Sequence, residues 1–253
     1  TLYGAALNKA PTAVTLADFD LDATPPAIQS VTTTADAGVT TTMALGIHIA
    51  FSTNPLDAPV WDAVEHHGRE MRTNRGRQHE LDRMSTGTCS FKLRNNSADY
   101  WPDNGSGKFT GKILPGRRVE IVAVYNGTTY GVFTGFIESW IPSFEGGMGS
   151  EAAPVVTVQC ADGLKLFNTH QLSSGSEVEE TSGTRIGNVA DIVGWPSGDR
   201  DLDTGQTTVM PTTFSGSASA LSHAQGVTDT ELGYLYVNGL NVLTYDDRHA
   251  RLV

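Results

Sequence analysis

The chain has two cysteines in 253 residues, 18% charged side chains and 8% aromatic ones, and it has no apolar run near the roughly 18 residues that a membrane-spanning helix needs. Each scarcity removes a class of protein. Cys89 and Cys160 have no paired-Cys or Cys/His spacing around them, so they make neither a disulfide framework nor a zinc site. Each sits at an alternating position of a strand-like run, TCSFKL and VTVQC, and reads as a buried, reduced, small apolar residue. Basic residues are outnumbered: 17 Lys and Arg against 28 Asp and Glu leave a net charge of −11, which argues against binding nucleic acid by phosphate neutralisation. With no secretory signal at its start, the sequence is expected to be a soluble protein made in a reducing cytoplasm.

What the sequence does have is glycine, 27 residues of it, and a 39% apolar content arranged largely with a period of two. Such a chain favours strands and turns over long helices, and its length suffices for two modest cores. The expected fold class is mainly β, in three segments. Residues 1–58, Thr- and Ala-rich with paired prolines at Pro25-Pro26, read as an N-terminal arm or strand segment that orders against something else. Residues 59–161 read as a small β-barrel or sandwich. Cys89, Phe91 and Leu93 share one face of TCSFKL, RRVEIVAVY is apolar on both faces, and Asn126-Gly127 supplies the positive-φ pair of a tight hairpin. Closure or near-closure would hide the strand edges. Within this segment the long connection NNSADYWPDNGSGKFTGKILPG carries Tyr100, Trp101 and Phe109, which argue for order, either on the domain's own surface or on a neighbouring subunit.

Beyond Cys160 the period lengthens, and residues 162–253 read as a smaller α/β domain with two helices and a β-hairpin. Thr184 caps the first helix, whose inner face is Ile186, Val189, Ala190 and Val193 and which Gly194-Trp195-Pro196 stops. The second runs from about Ser217 to Leu232 and is ended by Gly233; the hairpin turns near Asn238-Gly239.

Motifs for catalysis fail on spacing. Gly216-Ser217-Ala218-Ser219-Ala220 lacks the second glycine of a nucleophile elbow, and GSGKFTGKI has Ile113 where a phosphate loop needs a hydroxyl. His66-His67 are adjacent and would point apart on a strand, far from His79 and His170. Asp199, Asp201 and Asp203 imitate the opening of a calcium loop, but glycine comes seventh and Met210 stands twelfth, so the run reads as an exposed acidic turn. Glu177, Glu179 and Glu180 read as solvated linker charges. No catalytic residue, metal or cofactor is expected. The basic run from Arg69 to Arg83 reads as a solvated strand edge or an ion-pair face between subunits.

The stretch RGRQHELDRMSTGTCSFKLRNNSADYWP, followed by LPGRRVEIVAVYNGTTYGVFTGFIESW, resembles the minor tail proteins of long-tailed bacteriophages, particularly those of actinobacterial hosts, which form the tail-tip or baseplate hub. The resemblance begins near Trp61 and is carried by Arg75-Gly76-Arg77, Glu80-Leu81-Asp82-Arg83, Gly87, Leu93, Asn95, Tyr100 and Pro102. Pro115-Gly116-Arg117, Phe133, Gly135 and Ile137 continue it, and Arg185-Ile186, Gly194-Trp195-Pro196, Glu231, Gly233 and Asp247-Arg248 extend it downstream. It implies a structural virion protein, not an enzyme, assembled in the host cytoplasm into a tail-tip ring that connects the tail tube to the distal tip and fibres. The implied partners are further copies of itself, the tube protein, the tape-measure protein and other tip proteins, without a membrane or a specific nucleic acid. A trimer is implied, with a hexameric distal tail ring as the alternative. The subunit-interface candidates are Arg75, Arg77, Glu80, Asp82 and Arg83 together with Tyr100, Trp101 and Phe109. A reading of another class, a carbohydrate-binding or cell-wall-degrading tail-tip module, rests on Tyr100, Trp101, Trp140 and Trp195 as exposed aromatics.

Overall fold

A computed structural model of the chain describes residues 29–34, 40–64, 70–77, 82–146, 153–216 and 218–250. The two-residue periodicity becomes one large antiparallel sheet. Its strands are β1 (Gln29–Thr34), β2 (Thr40–Ala50), β3 (Asp62–Ala63), β4 (Arg72–Gly76), β5 (Ser85–Arg94), β6 (Arg118–Tyr125), β7 (Thr128–Glu145) and β8 (Ala153–Ala161). They run in the order β1-β2-β6-β7-β8-β5-β4, with β3 paired to β2. Alternation sends Ile47 and Ile49, Val119 and Ile121, Phe133 and Ile137, Val156 and Val158, and Cys89, Phe91 and Leu93 into a single buried cluster. Strands as far apart in the sheet as β2 and β5 share a core only if the sheet curls. Twist supplies part of the curl, and irregularities in register at Ile121/Val122 and Ile137/Ser139 add bends.

The curl stops short of the expected barrel. Among the described residues no pairing joins β1 to β4, so the sheet is open. Side chains cover the apolar face instead of strand closure. The connection after β5 folds back and buries Tyr100, Phe109 and Ile113 in the same cluster. Phe51 stacks on this plug, with ring centroids 3.9 Å from Phe109 and 6.3 Å from Tyr100. Side chains fix the plug's own turns, since Asn95 Oδ1 accepts the Tyr100 amide at 2.9 Å and Asp99 Oδ1 accepts the Lys108 amide at 2.8 Å. The segment expected as an arm through residue 58 includes an interior strand, β2, whose Ile47 and Ile49 are fully buried; residues 1–28 and 35–39 lie outside the described residues.

A second buried cluster begins where β8 ends. It is built from α1 (Leu164–Thr169), α2 (Ser182–Val193) and α3 (Ala220–Glu231), with the short strands β9 (Ser176–Glu177), β10 (Glu180–Thr181), β11 (Arg200–Leu202), β12 (Thr208–Val209), β13 (Thr212–Thr213), β14 (Tyr234–Val237) and β15 (Leu243–Asp246). The expected hairpin is β14–β15, and β11 joins it in parallel, turning the anticipated acidic turn into a strand. Among the described residues three helices stand where two were expected. On α2 the buried face is Ile186, Val189 and Ala190, but the helix starts at Ser182, ahead of Thr184, and closes on Gly194 at φ 82°. On α3 the cap is Ser219, whose Oγ accepts the Ser222 amide at 3.2 Å, and the left-handed closing residue is Leu232 at φ 57°, not Gly233. Gly233 is needed for space: a Cβ there would lie 2.5 Å from the Asp246 carbonyl oxygen.

Part of the stretch expected to be a solvated linker is held by side chains, while Glu179 is exposed as expected. Arg185, wholly buried on α2, donates through Nη2 to the carbonyls of Val178 at 2.7 Å and Met210 at 3.1 Å and is paired through Nε with Glu180. Asn188 Nδ2 bridges Glu177 and Glu180 at 3.0 and 2.8 Å. One guanidinium thereby gathers the loops flanking β9, β10, β12 and β13. Removing it leaves the Glu180 carboxylate, 10% exposed in its side chain, without its cation and two loop carbonyls without a donor, so Arg185→Ala is expected to cost about 3–5 kcal/mol in urea unfolding. A loss below about 1 kcal/mol, the scale of an exposed ion pair, would contradict this account.

Candidate functional site

The two clusters meet along a seam, and Arg75, Arg77 and Arg83 of the basic run lie in it. Arg77 sets its guanidinium 4.0 Å from the Tyr234 ring centroid. Arg83 donates through Nε to Asp229 Oδ2 at 2.9 Å, an exposed pair that orients more than it stabilises. The Met84 carbonyl accepts from Gln225 Nε2 at 3.1 Å. Elsewhere along the seam Thr134 Oγ1 donates to the Gly239 carbonyl at 2.9 Å, and a Cβ on Gly239 would lie 2.3 Å from the Gly131 oxygen. The glycine of Asn238-Gly239 therefore permits close approach; the left-handed residue of that turn is Asn241, at φ 65°. Two clefts open here, one of about 310 Å³ lined by residues that include Asp82, Arg83, Gln225 and Asp229, the other of about 250 Å³ lined by residues that include Arg75, Asp162, Tyr236 and Asn238.

Asp162 is a buried carboxyl in the seam. Only 3% exposed, it accepts the Gly87 amide through Oδ2 at 2.7 Å and the Leu164 amide through Oδ1 at 3.0 Å. One side chain thus ties the start of β5 to the entry of α1. Position 87 must be glycine, because a Cβ would fall 2.6 Å from Asp162 Oδ2 and 2.8 Å from Arg75 Cγ. Burial pushes the Asp162 carboxyl up to about 6, against the opposing pull of the two amides and Arg75.

A second buried carboxylate, Glu231 at the end of α3, is fully enclosed. Its Oε2 accepts from Ser182 Oγ at 3.0 Å and from the amides of Gln206 and Thr207 at 3.1 and 2.7 Å, while Tyr245 Oη donates to Ser182 Oγ at 3.0 Å. Burial works to raise its pKa, but these donors together hold it below the ordinary value. A carboxylate held ionised in this way is a poor proton shuttle at neutral pH, and a good clamp for the loop after Asp203.

The structure brings Arg75, Arg77, Asp82 and Arg83 together along the seam; Glu80 lies outside the described residues. Tyr100 and Phe109 are buried in the first core, and Trp101 is half-buried against the exposed ring of Phe144, with centroids 5.9 Å apart. The four aromatics proposed as a sugar platform share no exposed face, because Tyr100 and Trp195 are buried in different cores. Trp195 is buried in the second cluster beside Phe167, whereas Trp140 packs on the first core and donates Nε1 to the Leu114 carbonyl at 3.2 Å. Asp199, Asp201 and Asp203 also part company: Asp199 faces Arg118 at 3.8 Å and Asp203 Oδ2 accepts the Asp247 amide at 3.0 Å. Among the described residues no group of three or more metal-type ligands forms. Ser217, His66, His67 and His79 lie outside the described residues. Asp162 and the Glu231–Ser182–Tyr245 group escaped sequence reasoning as a site; the signal for them was indirect, since Gly87 and Glu231 both belong to the motif pattern that carries the resemblance.

No protein-family model and no curated protein matches the sequence. Solved structures match its fold. The tail protein from Neisseria meningitidis MC58 does so with a TM-score of 0.52 at 12% identity, over 80% of this chain and 51% of that one. The 43 kDa tail protein of prophage MuSo2 from Shewanella oneidensis gives 0.49 at 11%, over 80% and 53%. The lidded PdpA–VgrG complex of Francisella gives 0.46 at 12%, over 81% and 28%. The chain thus spans about half the length of the two tail proteins it matches.

The seam carries a pH signature of definite sign. The unfolded Asp162 carboxyl titrates near 3.8 and the folded one at about 6, so within that window the folded chain holds the extra proton. Its contribution is complete below about pH 4 and is lost as the pH rises through about 6. Measured against Asp162→Asn, which does not titrate, the wild type is expected to lose about 3 kcal/mol of unfolding free energy between about pH 3 and pH 7. A difference between the two proteins that stays flat over this range would refute the assignment.

Proposed function

We propose that this chain is a structural subunit of a phage-tail-type assembly, placed at the tail-tip hub, where copies pack into a ring around the axis of the tail. The observation that carries the reading is the fold shared with the Neisseria meningitidis tail protein. The residues that carry the sequence resemblance support it, because they are the ones on which this fold hangs: Gly87 against Asp162, Asn95 under the plug, Arg185 in its cage, Glu231 in its clamp. The proposed activity is assembly, with tube, tape-measure and other tip proteins as partners. A trimer is the proposed state, and a hexameric ring the alternative within the same reading.

For the contact surface we propose the aromatic fringe of the first core. The stacked rings of Tyr100, Phe51 and Phe109 extend to the half-buried Trp140, and Trp101 packs against Phe144, a side chain left 64% exposed. A second copy of the chain is the proposed occupant. Light scattering and negative-stain imaging of the purified protein are expected to give threefold rings; sixfold rings would move the reading to the distal tail ring. The double variant Trp101→Ala/Phe144→Ser is expected to weaken association at least about tenfold with an unchanged melting temperature. A chain that remains monomeric at every concentration and is missing from tail particles would end this reading.

A further inference from the structure

Strands β5 and β8 are antiparallel neighbours, and their register sets Cys89 directly opposite Cys160. Directly opposed residues of such a pair project from the same face. Both side chains belong to the first core, 3% and 2% exposed, and both are free thiols. The same register carries the Asp162 amide to the Gly87 carbonyl and the Asn95 amide to the Pro154 carbonyl. Hydrogen-bonded pairs alternate along an antiparallel ladder, so Cys89 and Cys160 form one as well, at a Cα separation of about 5.5 Å. A disulfide spans about 4.4–6.8 Å between Cα atoms, so the pair is within reach once its Cβ atoms, about 5 Å apart in a hydrogen-bonded pair, draw in to the roughly 3.8 Å of a disulfide. Nothing in the sequence motifs marks these two thiols as partners; the register of two strands from distant parts of the chain makes them so.

We propose that Cys89 and Cys160 are a cross-strand dithiol site that closes to a disulfide when the chain meets a small-molecule disulfide of the glutathione class, locking β5 to β8. One cysteine thiolate attacks a sulfur of the oxidant, whose S–S bond breaks and releases a small thiolate. The second cysteine thiolate attacks the protein sulfur of the resulting mixed disulfide, and the second small thiolate leaves. The two protons given up by the cysteines end on the two small thiols. The protein loses two electrons and the oxidant gains them.

Burial decides when this happens. It pushes the Cys89 thiol up to about 12 and raises Cys160 as well, so the folded chain holds almost no thiolate and reacts only as the strands open. Closure is fast while the sheet is forming and slow once it is complete. The bond therefore stays open in a reducing cytoplasm and forms in an oxidising medium. It closes a long loop that contains β6, β7 and the aromatic plug, where a cross-link restrains the unfolded chain strongly. The site is independent of the assembly reading.

The test uses the wild-type chain, unfolded with reductant and refolded either in dithiothreitol or in oxidised glutathione. The oxidised sample is expected to be lighter by two hydrogens, to yield a linked Cys89–Cys160 peptide, and to melt roughly 5–15 °C higher. The shift should vanish on adding dithiothreitol and be missing from Cys160→Ala. Thiols that persist after refolding in oxidant, glutathione adducts on both cysteines without a link, or a linked chain that melts lower would each overturn the proposal.

Discussion

At the end of β8 a single buried carboxylate receives amides from two directions, Gly87 from the sheet and Leu164 from the first helix of the second cluster. Withdrawn from water, Asp162 must keep both donors, and drawing the two cores apart at this point would strand an unsatisfied buried group. The rest of the seam is arranged around that constraint. Gly87 is bare so that the carboxylate can reach its amide, and Arg75 lies alongside to offset part of the burial cost. Leu164 and Phe167, held in place by the capped turn, enter the second cluster, and Arg77 and Arg83 extend the contact to Tyr234 and Asp229.

The same economy runs through the second cluster. Arg185 and Glu231 are buried charges of opposite sign: Arg185 donates to carbonyls of two short loops, and Glu231 Oε2 accepts two loop amides and the Ser182 hydroxyl while its Oε1 faces Arg248 at 3.6 Å. Loops rich in Ser, Thr and Gly have little apolar surface with which to hold themselves, so polar clamps supply the order. Such an arrangement gives a rigid body. The first core works differently: an open sheet sealed by an aromatic plug leaves an aromatic fringe at its rim, and a rigid body with an apolar rim is suited to packing against copies of itself, as the proposed assembly role requires.

How much of this was legible depends on the range of the interaction. Alternation in TCSFKL and RRVEIVAVY predicted β5 and β6 and the inward faces of Cys89, Phe91, Leu93, Val119 and Ile121, because side-chain direction in a strand is a property of the backbone. Asn126-Gly127 predicted a tight turn, and both residues have positive φ, 48° and 78°. Local signals misled where a residue served space or charge and not conformation. Gly233 and Gly239 look like turn glycines, yet each is bare because another backbone passes within contact of it. Glu177 and Glu180 look like linker charges because the Arg185 and Asn188 that hold them stand a helical turn or more away. Whether the expected barrel or sandwich closes depends on whether the last strand meets the first; among the described residues it does not, and the plug of Tyr100, Phe109 and Ile113 covers the apolar face without closure.

By itself the sequence determined the mainly β class, the strand faces, the helical face of α2 and the acidic balance, all of which follow from neighbours within a few residues and from composition. Only the tertiary structure decided that Arg77 and Arg83 face the chain's own second half, that Asp162 and Glu231 are enclosed, that Cys89 stands opposite Cys160, and that among the described residues the sheet stays open. Those outcomes depend on the registry of strands distant in sequence and on which surfaces meet, and neither is encoded in any short stretch of chain.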